Sequence, residues 1–336
     1  MTTRPLTRVL PAMACVVALL GVGATTACSS TPAASGKKVT IGYSYWPGWD
    51  RLKVAQEKGI FKDNGVEVEL KFYDNYTDSL TALIKGEIDA NAQTLNDTIV
   101  SVSSGAQQKV VLVNDNSTGN DKIIAADGIT SVADLKGKKV AVEQGTVDHY
   151  LLLLALEQVG LTERDITLKG MGTEAAATAF AAGEVDAVGA FAPFTSKALD
   201  RPGSRAIATS AEFPGAIPDH IVFNSTFITD RPGDVQRVVN AWFDTLKWIK
   251  SNRDAAIEIM ATHAKVNVAE YKSYDAGTTI FTLQQNLDAF RPGITPDHLN
   301  DQADKIADFL VANNLAKTRP SVEDLFDDRF VRAVGI

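Results

Sequence analysis

The chain has 336 residues, 45% apolar and 22% charged, an ordinary globular composition with enough length for one large or two medium folded domains. Its net charge of -8, with no basic run and no basic stripe interleaved with aromatics, argues against nucleic acid and against an anionic membrane surface as the main partner. Of the two cysteines, Cys15 falls in a leader-like segment, so the mature chain is left without a disulfide or a cysteine-based metal site.

Arg4 and Arg8 precede a largely apolar run from Val9 to Leu20, interrupted by Pro11 and followed by small residues up to Ala27 and Cys28. This pattern predicts a secretion signal over residues 1–27, since the run is short for a permanent membrane span and no other stretch approaches the needed length. A small residue directly before Cys28 resembles the lipobox of bacterial lipoproteins, although Thr25 departs from the usual Leu or Val. That resemblance implies acylation of Cys28 and a protein held by lipid at the outer face of the cell membrane. The alternative is ordinary cleavage nearby, which leaves a periplasmic protein with Cys28 as an incidental thiol. Residues 28–38, rich in Ser, Ala, Pro and Gly, read as a flexible tether.

From Val39 the chain repeats itself. The stretch Val39 to Gln93 is echoed by Val140 to Phe191, each reading strand, loop, helix, strand, helix, strand. VTIG, a helix closing at Gly59, VEVEL (66–70) and LTALIKGEIDA (80–90) correspond to VAVE, a helix closing at Gly160, DITLK (165–169) and ATAFAAGEVDA (177–187). The opening strands lie 101 positions apart and the two GE(I/V)DA signatures 97 apart, so the units differ only by small loop changes. Two copies are too few for a solenoid, and two matching α/β lobes fit better. In each signature a helix ends where Gly86 or Gly183 takes the left-handed conformation, and an apolar pair then opens a buried strand.

Between the copies, two apolar strands flank a polar stretch from Asp115 to Asp121, where the chain is expected to cross between lobes. Phe213 to Ile228 offers an extended return. From Asp230 onward the pattern is helical: Val235, Val238, Val239, Trp242, Phe243, Leu246 and Ile249 recur at helical spacing, which assigns the tryptophans of this helix to the core. Further helices are predicted over 255–263, 268–276 and 296–313, packing on the first lobe.

Motifs for chemistry are absent. His149, His220, His263 and His298 are scattered without an i, i+4 pair, and there is no G-x-S-x-G elbow or phosphate-binding loop. Residues 170–175 match a dinucleotide fingerprint, but they follow the second strand of their unit and no ribose-binding acid follows. No metal and no cofactor is expected.

The strings VTIGYSYWPGW, AQEKGIFKDNGVEVEL, LIKGEIDA, SVADLKGKKVAVEQGT and GEVDAVGAFAPF, spread from about Val39 to Lys250, resemble the solute-binding proteins of ABC importers in the nitrate, sulfonate, taurine and thiamine-pyrimidine superfamily. E-K-G-(I/L)-F together with D-L-K-G-K-K-V-A-V is specific to that group, and WPGW with QTLNDT is similar to a subgroup associated with urea or guanidine utilisation. The resemblance implies an α/β, two-lobed fold of the type II periplasmic-binding-protein kind, with the ligand cleft between the lobes and a hinge of two strands. Lobe 1 is expected over 39–116 and 223–336, and lobe 2 over 117–222. It further implies a monomer without enzymatic activity that delivers a small ligand to a permease and its ATPase. Two other classes stay open, an enzyme on the same scaffold and a sensory module. Relatives that make the thiamine pyrimidine carry a cysteine-rich segment, which is absent here.

Ligands of open α/β sheets sit beyond the carboxyl ends of strands. Six loops qualify: 43–49, 74–78, 93–98, 143–150, 190–195 and 210–220. They hold Asp74, Asp78, Asp97, Glu143, Asp148, Glu212 and Asp219 but no Lys or Arg. Tyr45, Trp46, Trp49, Phe191 and Phe194 supply π faces for a desolvated cation, and Asp97, Glu143 or Glu212 can accept paired N–H donors. Tyr76, Thr94 and Asn96 complete the candidate contacts. These features favour a guanidinium-like or urea-like ligand. Thr146, at a helix start, is the candidate for holding an oxyanion such as an alkyl sulfonate, taurine or nitrate through backbone N–H groups, and a thiamine-precursor pyrimidine is a further alternative. For any one residue the competing role is structural, with Trp46 and Trp49 as cleft-wall packing and Asp148 favoured by the helix dipole. His149 can cap, pack or contact ligand.

Overall fold

The computed structural model describes residues 37–335. The expected export signal, Cys28 and most of the tether lie outside these described residues. No helix among them is long and apolar enough to cross a membrane.

Eleven strands form two sheets among the described residues: β1 (Val39–Tyr43), β2 (Val68–Phe72), β3 (Ala90–Thr94), β4 (Gln108–Ser117), β5 (Asp121–Ala125), β6 (Lys139–Val142), β7 (Thr167–Gly170), β8 (Ala187–Phe191), β9 (Arg205–Thr209), β10 (Pro218–Asn224) and β11 (Thr278–Ile280). The first sheet has the order β11-β4-β10-β3-β1-β2 and the second β7-β6-β8-β5-β9. The duplication is real in three dimensions. β1 lies parallel to β2 and β3, as β6 lies parallel to β7 and β8, and in each sheet an antiparallel strand follows, β10 beside β3 and β5 beside β8.

The repeated signature does what its glycines predict. Gly86 and Gly183 adopt φ of 70° and 80°. Each donates its N–H to the residue three back, and the following Glu donates to the residue five back, at 2.9 to 3.0 Å in both copies. These bonds satisfy carbonyls at a helix end, which only a left-handed residue allows.

The helix Pro232–Ser251 buries Val235, Val238, Val239, Trp242, Phe243 and Ile249 and packs across the helix Arg51–Glu57. Helices Arg253–Ala264, Val268–Tyr274 and Leu299–Ala312 follow where the pattern places them.

Four details differ from the sequence reading. β2 begins at Val68, two residues later than expected, because Gly65 turns left-handed and Val66 donates back to Phe61 O at 3.1 Å to close the preceding turn. The region after Asp230 is not wholly helical. β11 extends along the edge of β4, and Asn120 Nδ2 fastens it by donating to Tyr274 O at 2.6 Å and Thr278 Oγ1 at 2.7 Å. The polar crossing is also shorter than expected, since β4 runs to Ser117 and β5 starts at Asp121. The return passes through residues 210–217, and Pro218–Asn224 already belongs to the first sheet, ahead of the 222/223 boundary read from the sequence. The two crossings are tied together by Ser117 Oγ and Ser210 Oγ at 2.7 Å and by Gly119 N donating to Ser210 Oγ at 2.7 Å.

Candidate ligand-binding cleft

The loop after β1 carries Tyr45, Trp46 and Trp49 on a tight turn, with Trp49 N donating to Trp46 O at 3.0 Å. The turn is clamped from behind. Arg51 Nη1 donates to Pro47 O at 2.7 Å, and Tyr271 Oη sits 3.0 Å from the same carbonyl and 2.9 Å from Asp50 Oδ2. Gly48 is where another chain element comes closest: a Cβ there would overlap the Asp115 carboxylate, so the glycine of WPGW lets the aromatic loop seat against β4. Trp46 Nε1 donates to Asp115 Oδ1 at 2.9 Å in the same contact.

Four rings close on one another between the lobes. Trp46 and Trp49 lie 6.4 Å apart, Trp49 and Tyr76 5.5 Å, Tyr76 and Phe191 6.4 Å, and Phe191 and Trp46 6.4 Å. The space they bound is completed by Tyr45, Thr94, Asp121, Val147, Ile217 and Asp219 and is nearly closed, with a cavity volume of about 10 Å³. A cavity of that size holds about one water, so any ligand of the cage must part its walls to enter. A larger groove of about 670 Å³ runs along the hinge past Asn116, Ser210, Phe281 and Arg291, and it holds none of the predicted contact residues.

The polar part of the cage is acidic. Asp115 and Asp219 are register partners on β4 and β10, Asp219 also faces Thr94 on β3, and Asp121 faces Phe191 on β8. All three are at most 2% exposed, Asp115 and Asp219 face each other as a carboxyl pair, and Asp121 lies beside Ser117. Burial raises the pKa of all of them. Asp121 reaches about 6, and the adjoining Asp115 and Asp219 are both pushed up, with the mutual repulsion of the pair adding to desolvation at Asp219. No Lys or Arg lines the cage among the described residues. The buried Arg51 weakens the rise at Asp115 but points its guanidinium at Pro47 O and, at 3.8 Å, at Asp275.

Six of the fourteen predicted contacts converge on the cage: Tyr45, Trp46, Trp49, Tyr76, Thr94 and Phe191. Phe194 stands at its mouth, 5.2 Å from Tyr45 and 5.7 Å from Phe191. Asp97 is one layer back, accepting from Thr94 Oγ1 at 2.7 Å and Asn96 Nδ2 at 2.9 Å, and burial lifts its pKa to about 7. The remaining five have structural partners. Glu212 is exposed and closes its own turn by accepting from Thr209 N at 2.8 Å, well outside the cage. His149 is buried with Nε2 2.9 Å from Glu163 and Nδ1 accepting from Gly145 N at 3.3 Å, which braces the loop after β6. Thr146 Oγ1 donates to Glu143 O at 2.8 Å. Asp148 Oδ2 lies 2.6 Å from Thr173 Oγ1, and the Glu143 carboxylate is fully engaged with Thr77 and Thr173.

Asp121 was read as hinge and Asp219 as one acid among many. Their importance follows from strand direction. β5 and β10 run antiparallel to their neighbours, so their first residues, not their last, reach the cleft edge of each sheet.

Two sheets joined by crossing strands, with an aromatic, acid-lined cage between them, define a two-lobed binding protein. The chain belongs to the NMT1-like family, whose model matches residues 33–264. A protein of Brucella abortus (strain 2308), provisionally named a binding protein, is 26% identical over 277 residues, covering 81% of this chain and 85% of that one. A protein of Bacillus subtilis (strain 168), provisionally named an aliphatic sulfonates-binding protein, is 24% identical over 326 residues, 95% of this chain and 94% of that one. The solved structure of the alkanesulfonate-binding protein SsuA from Xanthomonas axonopodis pv. citri bound to MOPS superimposes with a TM-score of 0.74 at 23% identity, over 88% of this chain and 99% of that chain. At that identity the likeness establishes the periplasmic-binding-protein fold.

Proposed function

We propose that this protein is the exported solute-binding component of an ABC importer, and that it captures a compact organic cation rich in N–H donors, with guanidinium as the representative. It would act as a monomer, held at the outer face of the membrane through Cys28, and would hand its ligand to a permease and its ATPase without altering it. The observation that carries the ligand class is the pair of buried carboxyl groups of Asp121 and Asp219 lining a cage of four aromatic rings that no basic side chain lines, with Asp115 behind them against Asp219. A desolvated cation over an aromatic face gains about 0.5 to 2 kcal/mol, and charge-assisted hydrogen bonds to these carboxyl groups add to it. Asp219 belongs to the first sheet and Asp121 to the second, so a cation between them would also draw the lobes together.

A second reading, an alkanesulfonate ligand, is favoured by the names of the Bacillus relative and the Xanthomonas structure. It requires an anion to enter a cage whose acids, when ionised, share its sign. A thermal-shift screen of the full chain against guanidinium, urea, tetramethylammonium, taurine, ethanesulfonate and nitrate separates the two, because specific binding raises the melting temperature by mass action. Stabilisation by guanidinium is the expected result. Stabilisation by tetramethylammonium alone would keep the cage and remove the N–H requirement, and stabilisation by sulfonates alone would reject the cation reading.

A further inference from the structure

We infer that Glu143 is the clasp that completes lobe closure. Glu143 follows β6 in the second sheet, and its two oxygens face the first turns of two helices that belong to different lobes. Oε1 accepts from the backbone N–H of Thr77 at 3.0 Å and from the Thr77 hydroxyl, at the start of the helix Tyr76–Ile84 that follows β2. Oε2 accepts from Thr173 N at 3.3 Å and Thr173 Oγ1 at 2.9 Å, at the start of the helix Thr173–Ala181 that follows β7. One carboxylate thereby takes four donors, two from each lobe, at the positive ends of two helices of nine residues.

A second feature prepares the same contact. A Cβ on Gly172, beside Thr173, would lie 2.7 Å from Asn75 Nδ2, beside Thr77, and Asn75 Oδ1 is already committed to capping its own helix. The glycine thus leaves room for the two helix starts to face each other across the cleft. Thr173 Oγ1 also lies 2.6 Å from Asp148 Oδ2. A hydroxyl has one proton to give, so a protonated Asp148, whose pKa burial lifts well above the carboxylate range, makes both contacts of Thr173 hydrogen bonds.

Glu143 and Thr77 do not line the cage, so Glu143 acts on ligand as a positioning residue, by holding the lobes shut. This rests on the two-lobed solute-binding reading and not on the sign of the ligand. The test compares the full-length wild type with Glu143→Gln and Thr77→Val by small-angle scattering and by stopped-flow tryptophan fluorescence with guanidinium chloride as probe. Glu143→Gln keeps the shape but turns amide N–H groups toward threonine donors, and Thr77→Val removes only the hydroxyl contributed by the first lobe.

The expected result is a larger radius of gyration for both variants than for the wild type, with guanidinium dissociating at least tenfold faster from Glu143→Gln while association stays within twofold. A third variant, Glu143→Gly, should expand likewise, and sodium acetate should restore its compactness while leaving Thr77→Val unchanged. If guanidinium fails to bind the wild type, the cation reading falls and the scattering comparison of the protein alone still decides the clasp. Identical scattering for wild type and both variants overturns it, as does a change confined to association.

Discussion

The residues on which the proposed site rests are buried carboxyl groups whose pKa values desolvation shifts more than any neighbouring cation does. Asp121 and Asp97 titrate near 6 and 7 because burial disfavours their charged forms, against about 4 for a free carboxylate. The folded state therefore holds protons that the unfolded state has already lost. The stability these groups confer is complete below about pH 4 and declines as pH rises through 6 to 7. Differential scanning calorimetry without added cation should accordingly show a melting temperature that falls between pH 5 and pH 8, and guanidinium should stabilise most at the upper end. A flat profile for the wild type with the same dependence on guanidinium would separate these acids from stability. Asp219→Asn relieves the buried repulsion between Asp219 and Asp115, so it should keep or raise the melting temperature at pH 8 while weakening guanidinium binding at least tenfold, about 1.4 kcal/mol. Weaker folding together with unchanged affinity would contradict both halves of that expectation. Trp46→Phe deletes the N–H that holds Asp115 at 2.9 Å and should reduce affinity through the cage geometry, measurable by the same titration.

At the scale of elements, the duplicated unit was legible because each copy writes its helix end and strand start in local chemistry. Gly86 and Gly183 show it, both left-handed and both followed by the same pair of hydrogen bonds. No atom lies within 4 Å of where a Cβ would stand on Gly86, so Gly86→Ala should cost about 1 to 2 kcal/mol through backbone conformation alone, read as a lowered denaturation midpoint with unchanged ligand affinity. Gly48→Ala should behave oppositely, sparing much of the fold and impairing binding, because the new methyl displaces the Asp115 carboxylate. The aromatic half of the site was legible for a similar reason, since Trp46, Trp49, Thr94 and Phe191 lie at the carboxyl ends of parallel strands or in the loops beyond them. The acidic half was not. Asp121 and Asp219 open antiparallel strands, and only the pairing of those strands with β8 and β3 brings them to the cleft. Glu143 and Glu212 looked alike as loop acids, and tertiary contacts separate them: one meets two helix starts, the other its own turn.

For the molecule as a whole, the proposed site and the proposed clasp together set two opposing terms in the balance between open and closed lobes. Asp219 and Asp121 bring buried carboxyl groups to the two faces of the cleft, which repel each other in proportion as they ionise, while Glu143 ties the faces through Thr77 and Thr173. A cation neutralises the first term and leaves the second, which is the arrangement a ligand-gated closure needs. A cation entering acids that partly hold protons must also release protons, whereas an anion would draw protons in. Isothermal titration calorimetry of the full-length protein with guanidinium chloride and with ethanesulfonate at pH 7, repeated in two buffers of different ionisation enthalpy, reads both affinity and the direction of proton flow. Guanidinium binding with net proton release and no heat from ethanesulfonate is the predicted result; ethanesulfonate binding with proton uptake, and none for guanidinium, would contradict it.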